Sequence, residues 1–416
     1  MTRRISKEVV LGDDKCGYVR IGGNAPVTVQ SMTSVATHDI FKCIQEIEKL
    51  QDAGADIVRV AVPEKKDTEA LKEIIKATKV PIVADVHFHF QRALEAISAG
   101  VHKIRLNPGN INDHNQVKEV INACKLKNIP IRIGVNEGSI IERRDKKKRA
   151  EELNIFFADK KHGHLIALMI AKLEEYLELF DSCDFEDIVI SAKSMDAPVV
   201  IDIYKEIASR FDYPLHLGVT HAGTRETGGI RSIAALGSLL SQGIGETIRI
   251  SYASDPIEEV IDGVELLCAL GLKERRKPEL IACPTCGRIQ VDLFTLVEEV
   301  KKLIMDEINL PMKVAVMGCV VNGPGEAEGA DVAVFAGNKR GIIYVQGAKV
   351  ANVPETKILS TLLSECKKLE FRVNNGETSL GEKTIAIKPP DPIGELGSGI
   401  ESIKKGLVEK ITVRKT

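Results

Sequence analysis

From about residue 26 to residue 272 the chain repeats one pattern of apolar and polar positions. A short β-branched run is followed by a polar turn, then by an amphipathic stretch with apolar residues at helical spacing, then by Gly or Pro before the next run. The runs predict strands at Val27–Met32, Ile57–Val62, Ile82–Val86, Lys103–Leu106, Ile131–Val135, Ile188–Ala192, Leu215–Val219 and Thr247–Ser251. Pro81, Pro130 and Pro214 lead into three of them, and Gly54 and Gly100 close the helical stretches before two others. Eight strand–helix units over this length fit an α/β (β/α)8 barrel of the TIM type. A doubly wound open sheet carries the same alternation and is the rival. The unit between the fifth and sixth strands is longer, with an insertion at about 141–180. Its charge run, Arg143 to Arg149, reads as a solvated helix start or loop, or else as a lid near the barrel mouth.

After Leu272 the polar run Lys273–Pro278 reads as a linker, which sets a barrel domain at 1–272 apart from a second domain at 279–416. There Lys313–Met317, Val332–Phe335 and Ile342–Gln346 predict strands and Thr356–Lys367 a helix, enough for a smaller α+β domain. From about 374 the Pro- and Gly-rich stretches at 388–392 and 394–399 predict a loosely ordered tail.

Charge narrows the partners. Fifty-seven basic against 59 acidic residues leave −2, so any anion binding has to be local rather than a basic field of the kind nucleic acid attracts. Trp is absent and aromatics are scarce, which disfavours a base-stacking platform. No apolar run approaches a membrane span and the amino terminus shows no targeting pattern, so a cytoplasmic protein is expected. Cys16, Cys43, Cys124, Cys183, Cys268 and Cys366 lack disulfide-like spacing and read as reduced, mostly buried thiols.

Polar residues gather at the carboxyl ends of the predicted strands, where the active site of such a barrel lies. In order they are Arg59, Asp85 with His87, Arg105, Arg132 with Asn136, Lys193, the Thr220-His221 pair, and Arg249 with Ser251. Parallel barrel strands are ordinarily continuous Val, Ile and Leu, so five cations there call for an anion. Arg forks match phosphate oxygens and Lys adds a point charge; two phosphates or a diphosphate would use this much positive charge. Structural ion pairs are the plainer reading, and Asp85 with His87 could instead be half of a metal site.

A second constellation lies in the distal domain. Cys283-Pro-Thr-Cys286 is answered, after 32 intervening residues, by Cys319, and then by Asn322-Gly-Pro-Gly-Glu326. Three thiolates plus a weak oxygen ligand suit an iron–sulfur cluster with one accessible iron better than a closed zinc site. A structural zinc knuckle, in a barrel transferase or a nucleic-acid-binding protein, and unconnected buried cysteines are the alternatives.

Together these segments resemble one family. Val-Gln30-Ser-Met-Thr, Ala-Asp85-Val-His87-Phe, Lys-Ile-Arg105-Leu-Asn-Pro-Gly-Asn110, Ile-Arg132-Ile-Gly-Val-Asn136-Glu-Gly-Ser, the Cys283–Cys286 turn and the Cys319–Glu326 turn are similar to those of the 4-hydroxy-3-methylbut-2-enyl diphosphate synthases, from about residue 8 to about 370. The resemblance implies a TIM barrel followed by an iron–sulfur domain, with a [4Fe–4S] cluster on Cys283, Cys286, Cys319 and Glu326. It implies reductive ring opening of 2-C-methyl-D-erythritol 2,4-cyclodiphosphate in isoprenoid precursor synthesis, with electrons from ferredoxin or flavodoxin. It also implies a homodimer in which the cluster domain of one chain serves the barrel of the other. The substrate would meet Arg59, Asp85, His87, Arg105, Arg132, Asn136, Lys193, Arg249, Ser251 and Asn322, and Glu326 would be a displaceable ligand with a part in catalysis. One position departs from the pattern: where the family reads Thr-Glu-Ala-Gly, this chain has Thr220-His221-Ala-Gly. His221 is expected to take over as proton donor, with activity retained.

Overall fold

A computed structural model describes residues 2–86, 89–106, 113–137, 162–220, 222–289, 291–319, 327, 329–337 and 339–381. The insertion expected at 141–180 is described only from residue 162 onward, and the tail beyond 381 lies outside the described residues. Contacts divide the chain into two units, Met1–Glu274 and Arg275–Thr416.

The first unit begins with an antiparallel hairpin, β1 (Glu8–Asp13) and β2 (Gly17–Gly22), which the strand–helix periodicity did not foretell. Eight parallel strands follow: β3 (Thr28–Met32), β4 (Ile57–Ala61), β5 (Ile82–Val86), β6 (Lys103–Leu106), β7 (Ile131–Asn136), β8 (Ile188–Lys193), β9 (His216–Leu217) and β10 (Thr247–Ile248). Each pairs with the next from β3 to β8; β10 pairs with both β9 and β3. A parallel bridge between Ile190 and Leu215 completes the circuit, giving a closed barrel instead of an open sheet. β9 and β10 are shorter than their apolar runs. The backbone nevertheless stays in contact, with Arg249 N donating to Leu217 O at 3.0 Å.

The crossover helices are α1 (Ile40–Asp52), α2 (Lys65–Ala77), α3 (Phe90–Ala99), α4 (His114–Lys127), α5 (Gly163–Asp181), α6 (Ala197–Arg210), α7 (Arg225–Leu240) and α8 (Pro256–Ala269). Their ends follow the local chemistry. Asp255 accepts from Ile257 N at 2.9 Å with Pro256 in the first turn of α8, and Gly100, at φ 91°, stops α3 in the left-handed region and hands the chain to β6. Between helices and strands lies the main core, built from outward-facing residues such as Val58, Val60, Ile82, Ala84, Ile104, Ile131 and Ile133. Each Val or Ile among them contributes roughly 1.5–3 kcal/mol by leaving water. The inward positions alternate with these and are largely polar. One end of the barrel is the exception: Leu11 and Ile21 of the hairpin pack on Ile57 and Val83, near the amino ends of β4 and β5.

In the second unit β11 (Glu279–Ala282), β12 (Lys313–Met317) and β13 (Val332–Gly337) run parallel, and β14 (Arg340–Val345) and β15 (Ala348–Pro354) complete the sheet antiparallel. Helices α9 (Leu293–Glu307) and α10 (Ile358–Asn374) bury Leu293, Val300, Ile304, Ile358, Leu362 and Leu369 against one face. The result is the smaller α+β unit. Among the described residues no helix is long and apolar enough to cross a membrane.

Candidate functional site

Strand periodicity brings the expected cations together inside the barrel. Met32 lies opposite Arg59, Asp85 opposite Arg105, Arg105 opposite Arg132, and Asn136 opposite Lys193 on neighbouring strands. Arg59, Asp85, Arg105, Arg132 and Lys193 are all buried; Arg249, Asn136 and Ser251 are partly buried on the carboxyl side. Two glycines make room for long side chains. A Cβ on Gly134 would stand 3.2 Å from Arg105 Nε, and one on Gly218 would stand 2.8 Å from Lys193 Nζ. Both stems therefore cross over neighbouring strands.

Two carboxylates share this interior. Asp85 accepts from Arg105 Nη1 at 3.0 Å and lies 3.6 Å from Arg59 Nε. It serves the arginines; the alternative of a metal site shared with His87 falls on a residue outside the described ones. Glu259 of α8 lies 3.5 Å from Arg249 Nη2 and accepts from Tyr252 N at 3.0 Å. Burial raises its carboxyl above the ordinary range while Arg249 pulls it down. Arg59 and Arg249 meet across the Met32 sulfur, which lies 3.0 Å from Arg59 Nη2 and 3.7 Å from Arg249 Nη1. A thioether is a weak acceptor, so these guanidinium groups keep most of their capacity for an oxyanion. Burial pushes Arg59 and Lys193 below their ordinary ranges; Asp85 offsets this for Arg59, whereas the charges around Lys193, Arg132 first, push it down further.

Three inward residues escaped the reading of strand ends: Lys103, His216 and Gln30, all fully buried or nearly so. The signal was present, because Lys103 lies two residues before Arg105 and Gln30 two before Met32. His87 and His221 lie outside the described residues, as do Asn322 and Glu326.

In the second unit Cys283 follows β11 directly and Cys319 follows β12 by one residue, on adjacent parallel strands paired through Ala282 and Val316. Cys286 sits exposed on the intervening turn, where Ile289 N donates to its carbonyl at 3.1 Å. Gly318 N donates to Cys283 Sγ at 3.2 Å, a contact that orients the sulfur at the end of its strand. Three sulfurs on two neighbouring strand ends and a turn are a donor set that fits a cluster.

A third grouping lies at the hairpin. Asp13, Cys16 and His102 bring ligand atoms within 4.8 Å of one another, the one such group of three among the described residues. His102 Nδ1, however, accepts from Ile82 N at 2.9 Å, so in the neutral ring Nε2 carries the hydrogen. That hydrogen faces Asp13 Oδ2 at 3.3 Å and Cys16 Sγ at 3.6 Å, where a metal would need a lone pair. Burial also pushes the Cys16 thiol up to about 11. The group is a hydrogen-bonded clamp from hairpin to barrel.

Residues 13–264 match the family model described as the GcpE TIM-barrel domain, and residues 279–368 match the GcpE protein C-terminal domain. The chain is 43% identical over 368 residues to a protein of Caldanaerobacter subterraneus subsp. tengcongensis named 4-hydroxy-3-methylbut-2-en-1-yl diphosphate synthase (flavodoxin), covering 88% of this chain and 98% of that one. It is 45% identical over 370 residues to a protein of the same name from Corynebacterium diphtheriae, covering 88% and 89%. Among solved structures, a truncated 3-deoxy-D-arabino-heptulosonate 7-phosphate synthase from Thermotoga maritima aligns with a TM-score of 0.44 at 16% identity, over 65% of this chain and 95% of that one.

Proposed function

Because the chain belongs to the GcpE family of 4-hydroxy-3-methylbut-2-en-1-yl diphosphate synthases, we propose that it makes this diphosphate by reductive ring opening of 2-C-methyl-D-erythritol 2,4-cyclodiphosphate. One ring C–O bond breaks, two electrons and two protons enter, and one water leaves. The observation that carries the reading is the cationic interior: Arg59, Arg105, Arg132, Lys193 and Arg249 face Asp85 and Glu259 as the carboxylates they contact or lie beside. A diphosphate would repay the cost of burying them.

In this reading Arg105 and Arg132, side by side on β6 and β7, grip one phosphate, with Lys193 and Arg249 on the other. Asp85 keeps Arg59 and Arg105 apart and oriented. Asn136 and Ser251 supply neutral hydrogen bonds at the mouth, His87 and Asn322 belong to the same set, and His221 delivers a proton. Cys283, Cys286, Cys319 and Glu326 would hold a [4Fe–4S] cluster. When bound, that group supplies the electrons and an iron whose carboxylate ligand yields more readily than a thiolate. Flavodoxin is the proposed donor, as in the names of the relatives, with ferredoxin the other low-potential carrier of this kind. We place the protein in the cytoplasm, where its thiols stay reduced, and propose that it works as a homodimer.

The test is an anaerobic assay of the cyclic diphosphate with the purified protein, with and without reductant. A brown, oxygen-sensitive protein that forms the linear diphosphate only when reduced is expected. A colourless protein that holds stoichiometric zinc after anaerobic reconstitution, and is inert towards the cyclic diphosphate, would overturn the reading.

A further inference from the structure

Beneath the cations at the mouth lies a second polar layer, nearer the amino ends of the strands. β6 contributes Lys103, two residues before Arg105; β9 contributes His216, level with Thr247 of β10, which is level with Thr28 of β3. Lys103 and His216 have no exposed surface, and Gln30 and Arg132 have almost none. Among the described residues, Lys103 Nζ, both ring nitrogens of His216, both polar atoms of the Gln30 side chain, Thr28 Oγ1, Thr247 Oγ1, and Nε and Nη2 of Arg132 have no hydrogen-bond partner. Arg132 makes one bond in this layer, from Nη1 to Ser191 Oγ at 2.6 Å. So many unpartnered buried polar atoms in one place are rare in a folded protein, and each is costly.

The surrounding charges sharpen the anomaly. Lys103 is opposed by apolar Val83 on β5 and feels Arg132 on β7 and Arg59 on β4. His216 feels Arg132, Lys193 of β8, Lys103 and Arg59; α6 adds Tyr204, whose hydroxyl donates to the His216 carbonyl. All the charged members of both sets are cations. The nearby carboxylates are committed elsewhere, Asp85 to Arg105 and Arg59, and Glu259 beside Arg249. A guanidinium cannot relieve such crowding by losing its proton, whereas an amine and an imidazole can. Burial first, then the neighbouring arginines, push both Lys103 and His216 well below their ordinary ranges.

We propose that Lys103 and His216 form a proton-accepting floor under the diphosphate site, so that the anion and one or more protons bind together. The inference rests on the diphosphate reading of the barrel. Each phosphorus of the cyclic diphosphate carries one strongly acidic hydroxyl, already ionised at neutral pH, so the ligand itself neither takes up nor releases protons there. Its negative charge offsets the cations overhead, and protonation of the floor then ceases to be repulsive. Protons are thereby gathered beside a reaction that consumes two of them. By linkage, affinity falls as pH rises between the ligand-free and ligand-bound values, by up to tenfold per pH unit for each proton taken up.

The test is calorimetric titration of the full-length, cluster-loaded protein, kept oxidised so that no turnover occurs, with the cyclic diphosphate at pH 8 in buffers of different ionisation enthalpy. The dependence of heat on buffer gives the protons taken up: about one is expected at pH 8, removed by Lys103→Met, while a repeat at pH 6 reads the additional uptake at His216, removed by His216→Gln. Thermal melts confirm that the variants are folded. Saturable binding with heats independent of buffer would overturn the inference alone. Uptake unchanged in both variants would overturn it too, placing the proton on Lys193. Absence of any binding would overturn the diphosphate reading and the inference with it.

Discussion

Lys103 is wholly buried on a barrel strand with arginines as its charged neighbours, so its ionisation ought to be visible in stability as well as binding. In the unfolded chain its pKa is near the ordinary value of about 10.4. In the native, ligand-free protein the value is lower, so between the two the unfolded state holds the extra proton and stability increases with pH. One such group gives a slope of about 1.4 kcal/mol per pH unit. Lys103→Met removes it. Denaturant unfolding in phosphate-free buffer at pH 7, 8 and 9 is expected to show a shallower rise, Lys193 supplying what remains, and a gain of at least about 1 kcal/mol at pH 7. A variant less stable at pH 7 with the slope unchanged would mean that native Lys103 keeps its proton. Strand periodicity was enough to put Arg59, Arg105 and Arg132 on one side of the barrel wall. It could not tell that Asp85 would be engaged by two arginines, because that depends on which strands are neighbours. Lys103 and His216 lie below the strand ends, where the period of two continues inward.

Elements that fit the repeating strand–helix pattern were readable; those outside it were not. The hairpin of β1 and β2 has short alternating strands and no helix, so its role emerges only when Leu11 and Ile21 are seen against Ile57 and Val83. The clamp of Asp13, Cys16 and His102 ties it to the barrel wall, and Arg4, which donates to Phe211 O at 2.8 Å and to Glu246 at 3.2 Å, ties the preceding segment to the loops before β9 and β10. β11 and β15 were missed for a similar reason: β11 is half-buried and β15 carries mostly exposed residues, leaving little apolar signal. The hairpin covers one end of the barrel, away from the mouth. Ile21→Ala is therefore expected to cost about 2–5 kcal/mol of stability, while KM for the cyclic diphosphate stays within about twofold of wild type. A large rise in KM with little loss of stability would assign the hairpin to the site.

At the scale of the whole molecule, chemistry is split between two units. Among the described residues the barrel interior holds the cations and no cysteine of the CxxC set, while the second unit holds Cys283, Cys286 and Cys319. The proposed reaction needs both, and in the proposed homodimer each chain carries one of each. Two single-site variants separate the possibilities. Arg132→Met should cripple the barrel and spare the cluster; Cys286→Ala should do the reverse, since a missing thiolate cannot be replaced by the methyl group. Each is expected to be nearly inactive as a homodimer. Co-expressed with different affinity tags and purified through both, the mixed dimer pairs an intact barrel on one chain with an intact cluster unit on the other. If the cluster unit serves the partner's barrel, the mixed dimer should recover about half the wild-type rate per dimer, because one of its two combinations is whole. If each chain serves itself, neither combination is whole and the mixed dimer stays as inactive as its parents. Iron content then guards the interpretation: the mixed dimer should hold half the wild-type complement in either case, so a difference in rate reflects which barrel receives the electrons and not how much cluster was loaded.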